Sequence, residues 1–72
     1  MKYIVVEIQT NPNGAIGNLV TAYDDRQQAE SHYHLVLSAA AVSALPAHAA
    51  VLLTSYGVQL ASACYYHEVD AE

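Results

Sequence analysis

Positively charged side chains are scarce in this chain, which has only Lys2 and Arg26 against seven acidic residues. Lysine and arginine supply most of the affinity of proteins for nucleic-acid phosphates, so a formal net charge of −5 argues against binding to DNA or RNA. The same charge argues against docking on an anionic membrane surface. We therefore expect neither nucleic acid nor membrane among the partners.

Long apolar runs are also missing. No run approaches the ~18 residues of a membrane span, and the N-terminal stretch meets Glu7 too early for the core of a signal peptide. Cys64 is the only cysteine, and a lone free thiol agrees with a reducing compartment. These features predict a cytoplasmic protein.

The chain is short as well. Its 72 residues predict a single domain, and a domain of this size buries only about 60% of its unfolded surface. Disulfides and metal sites are the usual compensation, together with oligomerisation. One cysteine excludes an internal disulfide, and a hydrophobic fraction of 54% is high for so small a domain. We therefore expect a homo-oligomer, at least a dimer.

What the chain does contain is one segment with the features of a helix, residues 24–45. Asp24 or Asp25 can cap its first turn, and Pro46 ends it because the residue before a proline is disfavoured in the α region. At about 100° per residue, one stripe of this helix is apolar and is expected to cover a sheet. That stripe consists of Ala29, Tyr33, Val36, Leu37, Ala40 and Ala44.

A second apolar stripe lies on nearly the opposite side of the helix and consists of Leu35, Ala39 and Val42. An ordinary surface helix keeps this side polar. Either the short side chains of an alanine-rich helix are tolerated in water, or the stripe contacts a second copy or another protein. We favour the contact, because this side of the helix loses its polar character only in the second half of the helix. We therefore predict these three residues as interface residues.

Strand-like sequence flanks the helix on both sides. Residues 2–10 and 15–23 predict one hairpin, and residues 47–55 and 58–67 predict a second. Gly17 is expected to mark a bulge. The predicted fold class is α+β, in the order ββαββ, with one helix packed on one face of a four-stranded antiparallel sheet. Residues 1–72 form one domain, with residues 67–72 as a frayed tail.

One face of the predicted sheet remains uncovered by the single helix. Because side chains alternate along a strand, Ile4 and Val6 lie on the opposite face from Val5. We expect the open face to carry Tyr3, Val5, Leu19, Tyr65 and Leu52, which is too apolar for water. Dimerisation through this face, with Val5 as an interface residue, is a second route to assembly.

No catalytic or metal-binding constellation is recognisable in the sequence. His32 and His34 point about 160° apart on a helix, so they cannot share a metal. Cys64 and His67 are separated by an odd offset, which places them on opposite faces of a strand. Asp24 and Asp25 are better explained as helix caps than as catalytic carboxylates. We expect neither a metal nor a cofactor.

Cys64 offers no sign of thiol chemistry. A reactive cysteine needs a nearby cation or a helix N-terminus to lower its pKa. Neither a cation nor a helix N-terminus is near Cys64 in the sequence. We therefore expect its side chain to be buried and to behave as a small hydrophobic group. A spatial pairing with His48 has no support in the sequence.

One binding feature remains, Arg26 in the first helical turn, where free backbone amides attract anions. Tyr3 and Tyr65 could stack on a base, so these three residues are predicted as ligand-binding residues of a small-nucleotide site. The competing interpretation is that Arg26 pairs with Glu30 at the helical i,i+4 spacing and that the tyrosines are core and edge residues. The sequence leaves both open.

Over most of its length the chain resembles a set of short uncharacterised proteins of gut Firmicutes and their prophages. The resemblance lies in residues 3–10 (YIVVEIQT), 17–20 (GNLV), 28–34 (QAESHYH) and 39–43 (AAAVS). These proteins have no known activity, so no functional residue carries over. The resemblance implies a phage or prophage setting, and hence the cytoplasm of a bacterial host.

Together these features predict a non-catalytic viral or prophage protein: a small acidic homo-oligomeric module that binds a phage protein or a host defence protein. The alternative is a sponge that sequesters a small nucleotide signal at a subunit interface. An enzyme ranks third, because no catalytic residues stand out.

Overall fold

The structure, a computed structural model, describes residues 1–67. In chain order it contains β1 (Tyr3–Thr10), β2 (Ile16–Tyr23), α1 (Arg26–Ala41), β3 (Ala47–Thr54) and β4 (Gln59–Tyr66). The strands form one antiparallel sheet in the order β2-β1-β3-β4, so β1 and β3 are central. The helix packs on one face of this sheet. The predicted α+β fold and its ββαββ order are confirmed.

Both hairpins turn at a glycine with positive φ, Gly14 at 88° and Gly57 at 85°. A residue without a Cβ adopts this conformation at no steric cost, which explains the glycine in each turn. Gly17 is not at a bulge, since it pairs in continuous register with Gln9. The irregularity lies in the other hairpin, where β4 carries one extra residue, Leu60, opposite the Leu52/Leu53 step.

The helix is shorter than predicted at both ends. Asp25 is the N-cap, and its side chain accepts a hydrogen bond from the Gln27 backbone N–H at 2.9 Å. The helix ends at Ala41, several residues before Pro46. In the link that follows, the Ser43 hydroxyl accepts a hydrogen bond from the Leu45 N–H, and such local side-chain bonds compete with helical ones.

The core lies between the helix and the two central strands. In the described part of the chain, its buried hydrophobic residues are Val5, Ala29, Tyr33, Val36, Ala40, Ala50 and Leu52. The four from the helix belong to the predicted stripe, whereas Leu37 is half-buried and Ala44 lies beyond the helix end. Three of the seven are alanines, so this core is small even for a domain of this size.

The helix covers the face of the sheet that we expected to be open. Val5 and Leu52 are 1% and 2% exposed beneath it, so that assignment was wrong, and Val5 is not at a surface of the protomer. Small residues lie on both sides of this layer: Ala50 in the sheet and Ala29 on the helix are fully buried in the same core cluster. Small side chains of this kind let a helix and a sheet pack closely.

His67, the first residue of the expected tail, is held in place. Its backbone N–H donates to the Pro46 carbonyl, and its Nε2 donates to the Ala40 carbonyl at the end of the helix. Residues 68–72, the rest of that expected tail, lie outside the described residues. Among the described residues, no helix has both the length and the apolar character needed to cross a membrane.

Candidate functional site

The most distinctive surface of the protein is the face of the sheet opposite the helix, which we call the open face. Alternation along each strand and the pairing register together assign four residues per strand to it. They are Ile4, Val6, Ile8 and Thr10 of β1; Ile16, Asn18, Val20 and Ala22 of β2; Ala47, Ala49, Val51 and Leu53 of β3; and Gln59, Ser62, Cys64 and Tyr66 of β4. None of these side chains carries a fixed charge.

Charged side chains of residues 1–67 lie away from the open face. Lys2 forms an ion pair with Asp24 next to the helix start, and Arg26 pairs with Glu30 along the helix. On the open face, by contrast, Ile16 and Val20 are 61% and 62% exposed. Contiguous apolar surface of this kind marks an interaction site, and covering it would desolvate no charge.

A buried polar cluster lies on the covered face, between the helix-side rows of β1 and β3. Glu7 Oε2 accepts hydrogen bonds from His48 Nε2 at 2.6 Å and from Gln9 Nε2 at 3.0 Å. Burial by itself raises the pKa of Glu7. The hydrogen bonds from His48 and Gln9, together with the electrostatic effects of His48 and His32, outweigh burial, so the pKa of Glu7 lies below its ordinary value. Glu7 is therefore an ionised carboxylate held inside the protein.

This cluster does not have the geometry of a nucleophilic site. His48 Nε2 is occupied by Glu7, and its buried Nδ1 has no hydrogen-bond partner among residues 1–67. No hydroxyl or thiol of residues 1–67 is therefore hydrogen-bonded to the imidazole, as an activated nucleophile requires. The pair instead links two central strands, β1 and β3, across the sheet.

Cys64 differs from its prediction, because it is exposed rather than buried. It lies opposite Ala49 on the open face, whereas His48 faces the helix, so the two cannot pair. His67 reaches the helix end on the other side of the sheet, as the odd offset from Cys64 predicted. An exposed side chain on an edge strand fills no part of the core.

We accordingly expect Cys64→Ser to be almost neutral in the separate protomer, at concentrations below those at which copies associate. Surface substitutions away from special features usually change the free energy of unfolding by less than about 0.5 kcal/mol. Urea denaturation of the two proteins at equal protomer concentration measures this difference. A loss above about 1.5 kcal/mol would mean that the thiol is buried, in the protomer or in an assembly.

The histidines of the helix have separate environments, in agreement with the predicted divergence. His32 Nδ1 is hydrogen-bonded to the Tyr23 hydroxyl at 3.0 Å, while His34 lies edge-on against Tyr33. Within residues 1–67, no three histidine, cysteine, aspartate or glutamate side chains come together as a metal site would require.

A shallow groove lies between the flank of the helix and edge strand β2. It has a cavity volume of about 470 Å³, and its lining residues are Tyr23, Gln28, Ser31, His32 and Leu35. The helix crosses the sheet diagonally, because His32 in its first half contacts β2 while Ala40 near its end contacts the residue after β4. The groove exists because the helix leaves β2 partly uncovered, and Leu19 on that strand is exposed.

The three predicted ligand-binding residues do not form one site. Arg26 Nε lies 3.3 Å from Glu30 Oε1, which is the ion pair of the competing interpretation. Tyr3 packs against the core and pairs with Thr54, whereas Tyr65 pairs with His48, six residues away along β3. At about 3.3 Å per residue the two tyrosines are roughly 20 Å apart.

The predicted interface residues of the helix are on its surface. Leu35 and Val42 are 68% and 86% exposed, and Ala39 is exposed as well. Leu35 also lines the groove, so part of this stripe borders the groove. No contact of the stripe with a second copy is tested by the structure, and the stripe is the alternative to the open face as the contact between copies.

Sequence reasoning missed two features, the Glu7–His48 pair and the contact between Tyr23 and His32. Both depend on which strands or layers are adjacent, and the first joins residues 41 positions apart. A signal was present for the open face, since Ile4, Val6 and Ile8 share one strand face with no charge among them.

Comparison with protein-family models, with curated proteins and with solved structures finds no match to this chain. Its function therefore has to be inferred from its own residues.

Proposed function

We propose that the protein is a small, acidic, non-catalytic interaction module that acts as a homo-oligomer in the cytoplasm of a bacterial host. The observation that supports this most strongly is the open face, a surface that is uncharged across all four strands and largely aliphatic on β1, β2 and β3. A second copy occupies the open face, so that the two sheets pack against each other and the helices lie outside. The oligomer in turn binds a partner protein of phage or host origin, in keeping with the resemblance to prophage proteins.

The size of the open face suits a dimer. Eight residues at about 3.3 Å each give strands of roughly 26 Å, and four strands at about 4.8 Å spacing span roughly 19 Å. Two faces of roughly 500 Å² each would hide about 1,000 Å² in projection, the lower bound for a specific interface. The charge pattern also fits, because copies with a net charge of −5 repel each other and an uncharged face adds no local repulsion between them.

The small core gives an independent reason for self-association. A single-sided core with three alanines among its seven buried hydrophobic residues supplies little burial for a 72-residue chain. A second copy on the open face would convert half-buried Ile4, Val6, Val51 and Leu53 into a second core. Folding and association are then supported by the same residues.

A protein partner has better support than a small nucleotide. Arg26 is engaged by Glu30, the tyrosines predicted to stack on a base lie far apart, and the groove is shallow. Small-molecule sites are usually concave and enclose most of the ligand. The nucleotide sponge remains the alternative, with a ligand held between subunits.

Sedimentation at micromolar concentration, followed by native mass spectrometry of protein purified from its host, tests the proposal. We expect at least a dimer, and a second polypeptide in the native complex. A monomer that unfolds cooperatively at high temperature would contradict self-association. A retained small mass in place of a polypeptide would favour the nucleotide sponge.

A further inference from the structure

The outer edge of β2 lacks the features that usually protect an edge strand. Among residues 1–67, β2 pairs with β1 along one side, and its other backbone edge has no strand beside it. Its sequence, IGNLVTAY, contains no charge and no proline, and its register is continuous. Natural proteins block exposed edges with charges, prolines or bulges. The opposite edge strand, β4, does have such a bulge at Leu60.

The groove adjoins the C-terminal end of β2 on the helix side of the sheet. Tyr23 belongs to β2, and Gln28, His32 and Leu35 follow one another along the flank of the helix. A strand added beside β2 would direct every second side chain towards the helix side. Those side chains would meet Leu35 and the exposed Leu19, while hydroxyl, amide and imidazole groups lie within reach.

We propose that the edge of β2 and the adjoining groove bind an extended segment of a partner protein, which adds to the sheet as a fifth strand. In this mode, main-chain hydrogen bonds provide affinity and side-chain pockets provide specificity. The segment presents apolar side chains to the groove and basic side chains to solvent. This inference rests on the proposed function and deepens it. It uses a different surface from the one that joins the copies, so segment binding and self-association can be disproved independently of each other.

Charge identifies the chemistry of the segment. The chain carries a net charge of −5, and its described cations, Lys2 and Arg26, are paired with Asp24 and Glu30. Asp25, which lies in the chain between the groove residues Tyr23 and Gln28, is exposed and engaged as the helix cap. A basic segment is attracted to a protein with this net charge, whereas a second copy, which carries the same net charge, is repelled at so narrow a contact. The edge therefore fits a basic partner segment better than the β2 of another copy.

Peptide binding to the full chain tests this inference. The probe is an eight-residue peptide of alternating valine and lysine, titrated at fixed ionic strength while backbone amide shifts are followed by NMR. One control replaces lysine by glutamate, and another carries N-methyl groups on alternate amides, which removes the strand-pairing donors. We expect the shifts to concentrate in β2 and in the groove, and both controls to bind at least tenfold more weakly.

Two protein variants locate the site. Leu19→Lys adds a cation on the free edge strand and should weaken binding of the basic peptide at least tenfold. Val58→Lys makes the same charge change at an exposed residue of the β3–β4 turn and should leave binding unchanged. No binding at millimolar peptide, equal binding of the N-methylated peptide, or shifts confined to β4 or the open face would overturn the inference.

Other occupants would give distinct results in the same experiment. Shifts in β2 on dilution of the protein alone would identify a second copy at the edge. Shifts in the groove with adenosine triphosphate, and none with the peptides, would identify a nucleotide. Either result would replace the basic segment as the occupant, without bearing on whether the copies join through the open face.

Discussion

Replacing Val51 with glutamate should dissociate the protein into folded monomers. Val51 lies on central strand β3 in the middle of the open face, with Val6 and Ser62 beside it. In a dimer of open faces, the substitution would enclose two carboxylates without partners. Burying an unpaired charge costs several kcal/mol, so we expect the dissociation constant to rise at least ~100-fold. Sedimentation velocity over a concentration series measures the change.

Two further variants make this test decisive. Ile16→Glu changes an exposed open-face residue on an edge strand, and it should also weaken assembly, with less risk to the protomer fold. The double variant Leu35→Glu and Val42→Glu places the same charge on the outer stripe of the helix and should leave assembly intact. If the helix variant dissociates the protein and the two open-face variants do not, the helix is the interface. Circular dichroism establishes that each variant is folded.

The order and type of the elements could be predicted because each rests on local signals. The cap at Asp25, the proline after the helix, and the glycine in each hairpin turn act within a few residues of their own positions. The predicted strand limits agree with the observed ones to within one or two residues for the same reason. The helix end was predicted too late, because the link to β3 uses residues with good helical propensity.

The choice of the covered face could not be made from the same signals. Both faces of β1 contain aliphatic residues, and the more aliphatic one looks like the natural partner of a helix. The actual choice depends on fit across the layer, where the small residues Ala50 and Ala29 and the larger Tyr33 are buried in one cluster. A fit between residues distant in sequence has no periodicity to reveal it.

The candidate sites were hidden from the sequence for a related reason. Glu7 and His48 become neighbours only through the pairing of β1 with β3, and the groove exists only because the helix crosses the sheet diagonally. Exposure of Leu35 and Val42, by contrast, follows from helical period alone and was predicted. The helical period therefore predicts which residues are exposed. The candidate sites depend instead on how the strands pair and on the angle at which the helix crosses the sheet.

Replacing Glu7 with glutamine should destabilise the protein at neutral pH and much less in acid. Hydrogen bonds to a charged group contribute about 1.5–3 kcal/mol, and Glu7 accepts two of them in a mostly buried position. Glutamine keeps the shape and one acceptor but loses the charge that His48 faces. We therefore expect a loss of roughly 1.5–3 kcal/mol in the free energy of unfolding at pH 7.

The dependence on pH follows from the direction of the pKa shift. The folded state lowers the pKa of Glu7 from its ordinary value of 4.5, so its contribution is fully present above that value. As pH falls through the lowered pKa, wild-type Glu7 becomes neutral as well, and the two proteins should converge in stability. Urea denaturation at pH 7 and near pH 3, at equal protomer concentration, measures the difference.

A matched control separates the buried pair from surface charge. Glu30→Gln removes the same charge from the exposed pair with Arg26, where such pairs contribute only about 0–1 kcal/mol. A difference between wild type and Glu7→Gln that stays constant from pH 7 to pH 3 would show that the carboxylate charge is not what stabilises the cluster. A loss for Glu30→Gln as large as that for Glu7→Gln would lead to the same conclusion. If the predicted convergence occurs, the ionised Glu7 links β1 to β3 beneath the helix and helps to hold the central strands on which both proposed surfaces depend.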